Sequence, residues 1–408
     1  MTPPVGEPFS YDPFGPDEMA NPLPFYQELR DHHRAYFLPE YEAWAISRFD
    51  DVWQILNDRE GHITPVEGTL LLKKQLLVSN GGSVPELVYD PLPVFGYTES
   101  PVHEELRQAF SPALRPGAVG RLEELIRSFA RARLDVLLPQ GRFNVTSEYA
   151  GVVAAQTMCH LFGLPLEEAE WVRDAVIASA PGAEDPKAQD RAYGQVIDQV
   201  TGLVAERRAA GAGGERPLID GLVRYRLDGR ELTDREIGSS VLAIVLFGGV
   251  ETLPKVVSHG LIELWRAPDQ RRELVADPAN CAVAFEEMLR FCAPAQWFTR
   301  TVKRPITMAG EELGAGHRIF PLLMSANRDE REFDDPDTFL WDRPIARHLA
   351  FGQGQSFCVG THLARLEGRI LLEELLARAP EYEIDLDHAL RPPSSFQWGY
   401  RTVPLVVG

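Results

Sequence analysis

Apolar positions recur along most of this chain at helical spacing. Asn21 to His32 and Phe49 to Asp58 carry them at i, i+3 and i+4, and between these stretches Tyr36 to Ile46 alternates as a β-hairpin does. Gly61 to Pro101 interrupts the pattern with Gly, Pro and Asn clusters, and a segment so long and irregular reads as a binding loop. Helical spacing resumes over His103 to Arg133, Ala150 to Phe162, Leu166 to Ser179 and Asp190 to Ala210. Thr233 can cap a nearly all-apolar helix from Asp234 to Leu264, which must be buried on all sides and so cross the centre of the protein. Beyond it the pattern predicts a helix over Ala282 to Phe291, strand-like pieces at Phe298 to Met308 and His317 to Leu323, and a loop-rich meander to Gln355. A last helix over Cys358 to Ala379 and a terminal hairpin over Ser394 to Val407 complete the reading. The predicted class is mainly α with a minor β part. It forms one domain over 1–408, with its β-rich portion at about 36–60, 298–325 and 394–407.

Composition narrows the function. With 408 residues, 44% of them hydrophobic, the chain can bury a large core. Its 41 basic against 60 acidic residues leave a net charge of -19, which repels phosphate backbones and anionic lipid, so neither nucleic acid nor membrane is an expected partner. Cys159, Cys281, Cys292 and Cys358 form no C-x-x-C pair, which fits a reducing cytoplasm better than a disulfide or zinc scaffold. The Pro-rich, acidic N-terminus does not read as a signal peptide. The longest apolar run, Val241 to Val250, is short of the roughly 20 residues needed to span a bilayer. A cytoplasmic monomer is expected, and the sequon at Asn144-Val145-Thr146 is then accidental.

Phe351-Gly-Gln-Gly-Gln-Ser-Phe-Cys358-Val-Gly360 directly precedes a predicted helix. A cysteine there is favoured as thiolate by unpaired N–H groups and the helix dipole, which makes Cys358 a ligand or a nucleophile. Glycines at 352, 354 and 360 allow backbone to approach a flat partner closely. In the central helix, Gly248-Gly249-Val250-Glu251-Thr252 puts an acid and an alcohol beside two glycines. Pro254 removes the donor for the carbonyl of Val250, so this stretch serves something other than helix stability.

These segments resemble the cytochrome P-450 superfamily, whose cysteine loop reads F-G-x-G-x-H-x-C-x-G; the usual His is here Ser356. The resemblance runs over nearly the whole chain and implies the family's fold, with a long central helix over haem and small sheets on one side. It implies haem b held by Cys358 as iron ligand within a cradle that includes Phe351, Gly352, Gly360 and Gly248. His103, Arg107 and Arg300 are implied propionate contacts, and His348 also matches the family. Glu287, Arg290 and Arg343 match a structural Glu-Arg-Arg network, and Ala326 to Asp329 a recurrent segment. Glu251 and Thr252 match the oxygen-activation pair, the alcohol bonding dioxygen and the acid relaying protons; the local alternative has Thr252 bonding back to the carbonyl of Gly248. Pocket positions by resemblance are Val78 to Tyr97, Ala243, Phe247, Trp297, Phe298, Phe396 and Trp398.

The implied activity is a monooxygenase that inserts one atom of O2 into a small apolar or aromatic substrate, by hydroxylation or O-demethylation. With no flavin or iron–sulfur segment in the chain, electrons are expected from NAD(P)H through a separate ferredoxin-type partner, docking on a basic face to which Arg365 and Arg369 contribute. A peroxide-driven peroxygenase, a haem-thiolate ligand sensor and a haem-free cysteine-histidine hydrolase are the competing readings.

Overall fold

The computed structural model describes residues 9–71, 73–78, 94–179 and 186–408. Its organising element is the central helix. Thr233 accepts a hydrogen bond from the Glu236 N–H while the Glu236 carboxylate accepts from the Thr233 N–H, a reciprocal cap that starts the helix as the sequence predicts. One turn of wider pitch over Gly238–Leu242 leads into Ala243–Arg266. The whole run, Asp234–Arg266, is long and apolar enough to cross a membrane by length and composition, which the expectation based on Val241 to Val250 missed. In the fold it is instead flanked by the helices Gly151–Phe162, Ala169–Ala178, Cys281–Cys292 and Thr361–Arg378. Close approach sets the spacing at Gly249, where a β-carbon would lie 2.6 Å from Met158 Sδ.

The β part is gathered on one side. Strands Ala35–Leu38 and Ala43–Ile46 form the predicted hairpin, and Arg318–Pro321 pairs parallel to the second of them. Arg300–Val302 and Ile63–Thr64 complete a five-stranded sheet. Its apolar faces are covered by two smaller clusters, one around Tyr26, Trp297 and Phe320 and one around Phe49, Val52 and Ile319.

Three expectations need correction. The stretch from His103 to Arg133 is three helices, Val102–Phe110, Pro116–Gly120 and Glu123–Leu137, because Pro112 and Pro116 cannot continue the hydrogen-bond ladder. The last helix starts at Thr361, three residues after Cys358. The terminal segment is not a hairpin: only Pro404–Val407 is a strand, and it lies between Tyr382–Ile384 and Arg142–Asn144. Ser394 Oγ accepts from the N–H groups of Phe396 and Gln397 and turns the chain there, so the alternation has no partner strand nearby. The sequon residue Asn144 caps the helical turn after it, accepting from the Thr146 and Ser147 N–H groups.

Candidate functional site

The cysteine loop is held by its own backbone. The Cys358 N–H donates to the carbonyl of Phe351 at 3.0 Å and the Phe357 N–H to that of Gly354 at 3.1 Å. Gly352 and Gly354 have φ of +67° and +69°, and a β-carbon on Gly354 would lie 2.1 Å from the carbonyl oxygen of Leu56. This loop therefore demands glycine. Cys358 is half-buried, with the N–H of Gly360 directed at its sulfur. Burial pushes its thiol up against the opposing pull of that N–H and of Arg107 and Arg365. A bound metal ion would reverse the balance, since coordination deprotonates a thiol outright. Burial pushes Cys159 and Cys281 up to about 12 and raises Cys292 as well, so all three are packing residues.

The acid-guanidinium cluster braces the meander that leads into the loop. Arg290 donates to both oxygens of Glu287 at 2.6 and 2.7 Å, and Arg343 Nε donates to one of them at 3.2 Å. The same two guanidinium groups satisfy the carbonyls of Asn327, Pro336, Asp335 and Thr338 in the meander. Asn327 Oδ1 in turn accepts from the Leu349 N–H, and Asp329 from the Phe49 N–H. His348 is bonded to Glu286 at 3.2 Å, which also takes two bonds from Arg365; these contacts outweigh burial and hold the Glu286 carboxyl down at about 2. The basic docking face expected at Arg365 and Arg369 is therefore already engaged: Arg365 by Glu286, Arg369 by Glu123 and Glu373.

His103 and Arg107 both reach the cysteine loop from the helix Val102–Phe110. His103 Nε2 meets the carbonyl of Gln355 at 3.1 Å, its Nδ1 meets Thr98 Oγ1 at 3.2 Å, and its ring stacks on Phe95. Burial and the charge of Arg107 lower its pKa. Arg107 donates to the carbonyl of Phe357 at 2.6 Å. Arg300 is different. It is buried, donates only to the carbonyls of Thr299 and Phe298 among the described residues, and has its pKa pulled down to about 10 by burial alone. A buried guanidinium without a carboxylate is costly, so this one fits an anion brought by a ligand. Together with the half-buried sulfur, these donors suit haem with its propionates.

On the central helix, no described residue outside the helix's own backbone lies within 4 Å of a β-carbon built at Gly248. Thr252 Oγ1 donates to the carbonyl of Gly248 at 2.8 Å, the geometry of the local alternative. Glu251 is held on another bearing: Lys255 Nζ donates to it at 2.7 Å and Gln397 Nε2 at 3.3 Å. Lys255 at i+4 is visible in sequence, whereas Gln397 is brought by the fold and no sequence signal marks it.

Ala243 is buried and Phe247 stacks on Tyr193 at 5.8 Å. Trp297 is packed among Phe14, Phe320 and Phe396, and Phe298 meets Phe396 edge-on at 5.2 Å. Trp398 lies under the Arg391 guanidinium and beside His259. Of the expected loop, residues 79–93 lie outside the described residues; Phe95 and Tyr97 are buried.

A cytochrome P450 family profile matches residues 282–403. Over its whole length the chain is 31% identical to cytochrome P450 123 of Mycobacterium tuberculosis, covering 99% of that protein. It is also 31% identical to cytochrome P450 130 of the same species over 89% of each chain. Among solved structures, cytochrome P450 CYP109Q5 from Chondromyces apiculatus superposes with a TM-score of 0.82 at 28% identity, over 97% of this chain and 98% of that one.

Proposed function

The chain belongs to the cytochrome P450 family and is therefore a haem-thiolate monooxygenase, and on that basis we propose that it oxidises a small apolar or aromatic molecule by hydroxylation or O-demethylation. Bound haem supplies the iron chemistry that splits dioxygen and oxidises a C–H bond. The rest falls to the chain's own residues.

Cys358 would hold the haem iron through its sulfur, toward which the Gly360 N–H is directed. Arg300 and Arg107, with His103, would hold the propionates through charge-assisted bonds, while Phe351, Gly352, Gly360 and Gly248 would leave room for a planar group. Glu287, Arg290 and Arg343 brace the meander that leads into the loop and take no part in chemistry. Glu251 takes a proton from solvent and Thr252 passes it on at its hydroxyl. Phe247, Phe298 and Phe396 offer apolar walls to the substrate, with Ala243, Trp297 and Trp398 behind them. Electrons come from NAD(P)H through a separate ferredoxin-type protein in the cytoplasm.

The observation that carries this reading is the half-buried Cys358, held in a loop that demands glycine, with a backbone N–H directed at its sulfur and Arg107 bonded to the same loop. The reduced protein under carbon monoxide should develop the strongly red-shifted Soret band of thiolate-ligated haem, and C358A should lose it. Persistence of that band in C358A would overturn the assignment. Turnover driven by peroxide but not by NADH with ferredoxin and reductase would make the enzyme a peroxygenase instead.

A further inference from the structure

Glu251 is one corner of a closed ring of three side chains. Lys255 donates to one of its oxygens at 2.7 Å, Gln397 donates to the other at 3.3 Å, and Lys255 also bonds the side-chain oxygen of Gln397. Two of the three come from the central helix, and the third from the terminal loop.

That loop is fixed at Gln397. Its N–H donates to Ser394 Oγ, it pairs with Ala295 across an isolated bridge, and the next N–H, of Trp398, donates to the carbonyl of Pro294 at 2.7 Å. The bonds to Ser394 Oγ turn the chain here, and the two adjacent side chains make different contacts. Phe396 packs on Phe298 and Trp297 at the apolar walls, while Gln397 reaches Glu251. A displacement of Phe396 by a bound molecule is thus transmitted through one peptide unit to the ring around Glu251.

The ring also borders a cavity of about 90 Å³, lined by Glu251, Lys255, Gln397, Arg173 and Phe396 among others, so Phe396 touches both the apolar cluster and the space beside the ring. The carboxylate faces this cavity, while Thr252, the next residue, lies about 100° further round the helix. Of the charged groups, Lys255 of its own helix bonds the carboxylate, and Arg173 from the helix Ala169–Ala178 and Arg401 from the terminal loop line the same cavity.

We propose that Gln397 is a positioning residue that holds the Glu251 carboxylate on the cavity side until the substrate pocket is filled, and so couples proton delivery to substrate occupancy. The proposal rests on the reading of Glu251 as the proton relay. With the pocket empty, the ring keeps the acid away from Thr252. Substrate pressing on Phe396 loosens Gln397 and frees the carboxylate to turn.

The test uses the haem-loaded enzyme and its variants Q397M, which keeps the side-chain length without hydrogen bonds, K255M, which opens the ring from the other side, and E251Q. The first measurement is the infrared carboxylate band that E251Q removes, with and without 4-phenylimidazole as a probe that fills the pocket. The band should shift on probe binding in the natural protein and already be shifted in probe-free Q397M and K255M. The second is peroxide released without substrate when NADH, ferredoxin and reductase are supplied, followed against pH. It should rise by about threefold or more in Q397M, as loss of one hydrogen bond gives, with an altered pH profile, and the rise should vanish in Q397M/E251Q. A carboxylate band and peroxide profile in Q397M and K255M equal to those of the natural protein would overturn the role of Gln397 while leaving Glu251 as relay. An E251Q variant with unchanged pH profile would remove the relay itself, and the inference with it.

Discussion

Replacing Glu287 by Gln is the sharpest test of what holds the cysteine loop. The Glu287 and Arg290 side chains are fully buried and Arg343 is nearly so, with exposures of 0%, 0% and 6%. Glu287 accepts two bonds from Arg290, one from Arg343 and one from the Leu340 N–H at 3.1 Å. A glutamine retains one acceptor oxygen and turns an NH2 group toward a guanidinium, donor against donor. Two buried cations then lack their counter-charge, a loss of about 3–5 kcal/mol. At about 2.1 cal/mol/K per residue, 408 residues have an unfolding entropy of about 0.9 kcal/mol/K, so the loss corresponds to about 3–6 °C in Tm.

The assay is thermal unfolding of E287Q and of the triple variant E287L/R290M/R343M by circular dichroism, with haem retention read from the Soret band. Apolar replacement of a whole buried ionic cluster is often neutral. Here it should not be, because Arg290 and Arg343 also satisfy carbonyls at Asn327, Asp335, Pro336 and Thr338, which leucine and methionine cannot bond. Both variants should therefore lose stability, the triple variant at least as much as the single. A triple variant as stable as the natural protein would refute the argument that the cluster supports the meander, and an E287Q change of less than about 1 °C would refute the magnitude.

Two further outcomes follow from buried charge. R300M should lose haem to apomyoglobin about 10–100 times faster, the equivalent of one charge-assisted bond, yet its haem-free form should unfold at higher urea than the haem-free natural protein, since an unpaired buried cation has been removed. Burial, opposed only weakly by Thr157, raises the Glu367 carboxyl to about 8, and its Oε1 has no hydrogen-bond partner among the described residues. The folded state thus binds a proton that the unfolded state releases near pH 4.5. Stability falls as pH rises from about 4.5 to 8, and urea unfolding should find E367Q more stable than the natural protein by on the order of 3 kcal/mol at pH 7 but not at pH 4.5.

Much of this was legible because the chemistry that marks the site also marks the chain locally. Pro254 inside an apolar helix, Glu287 and Arg290 at i, i+3, and glycines around Cys358 are short-range signals, and the structure sets each in the predicted element. Boundaries failed where local alternation had to choose a distant partner. Pro404–Val407 pairs with Arg142–Asn144, far away in sequence, so periodicity could show a strand but not where it bonds. Gln397 was invisible for the same reason: its distance from Glu251 is 3.3 Å in space but long in sequence, and a glutamine in a loop carries no pattern. The pairing of Arg365, expected to contribute to a basic docking face, was invisible in sequence because its partner Glu286 lies on another helix.

The replacement of the usual histidine by Ser356 makes sense in the light of how many other groups fix the cysteine loop. His103 and Arg107 bond the carbonyls of Gln355 and Phe357 from one side. Asn327 bonds the Leu349 N–H from another, and the backbone of Gly354 packs directly on Leu56 from a third. Each bond spans well over a turn of fold, so the loop's shape is set by the scaffold before any cofactor enters, and little of that shape depends on the side chain at 356. Pre-organisation of this kind places the cost of ordering in folding rather than in cofactor binding. The bonds that hold the loop come from His103, Arg107 and Asn327 and from its own backbone, so none of them is lost with a serine at 356. Arg300, bonded only to the carbonyls of Thr299 and Phe298 among the described residues, is the cation left to share the proposed propionate contacts with Arg107 and His103.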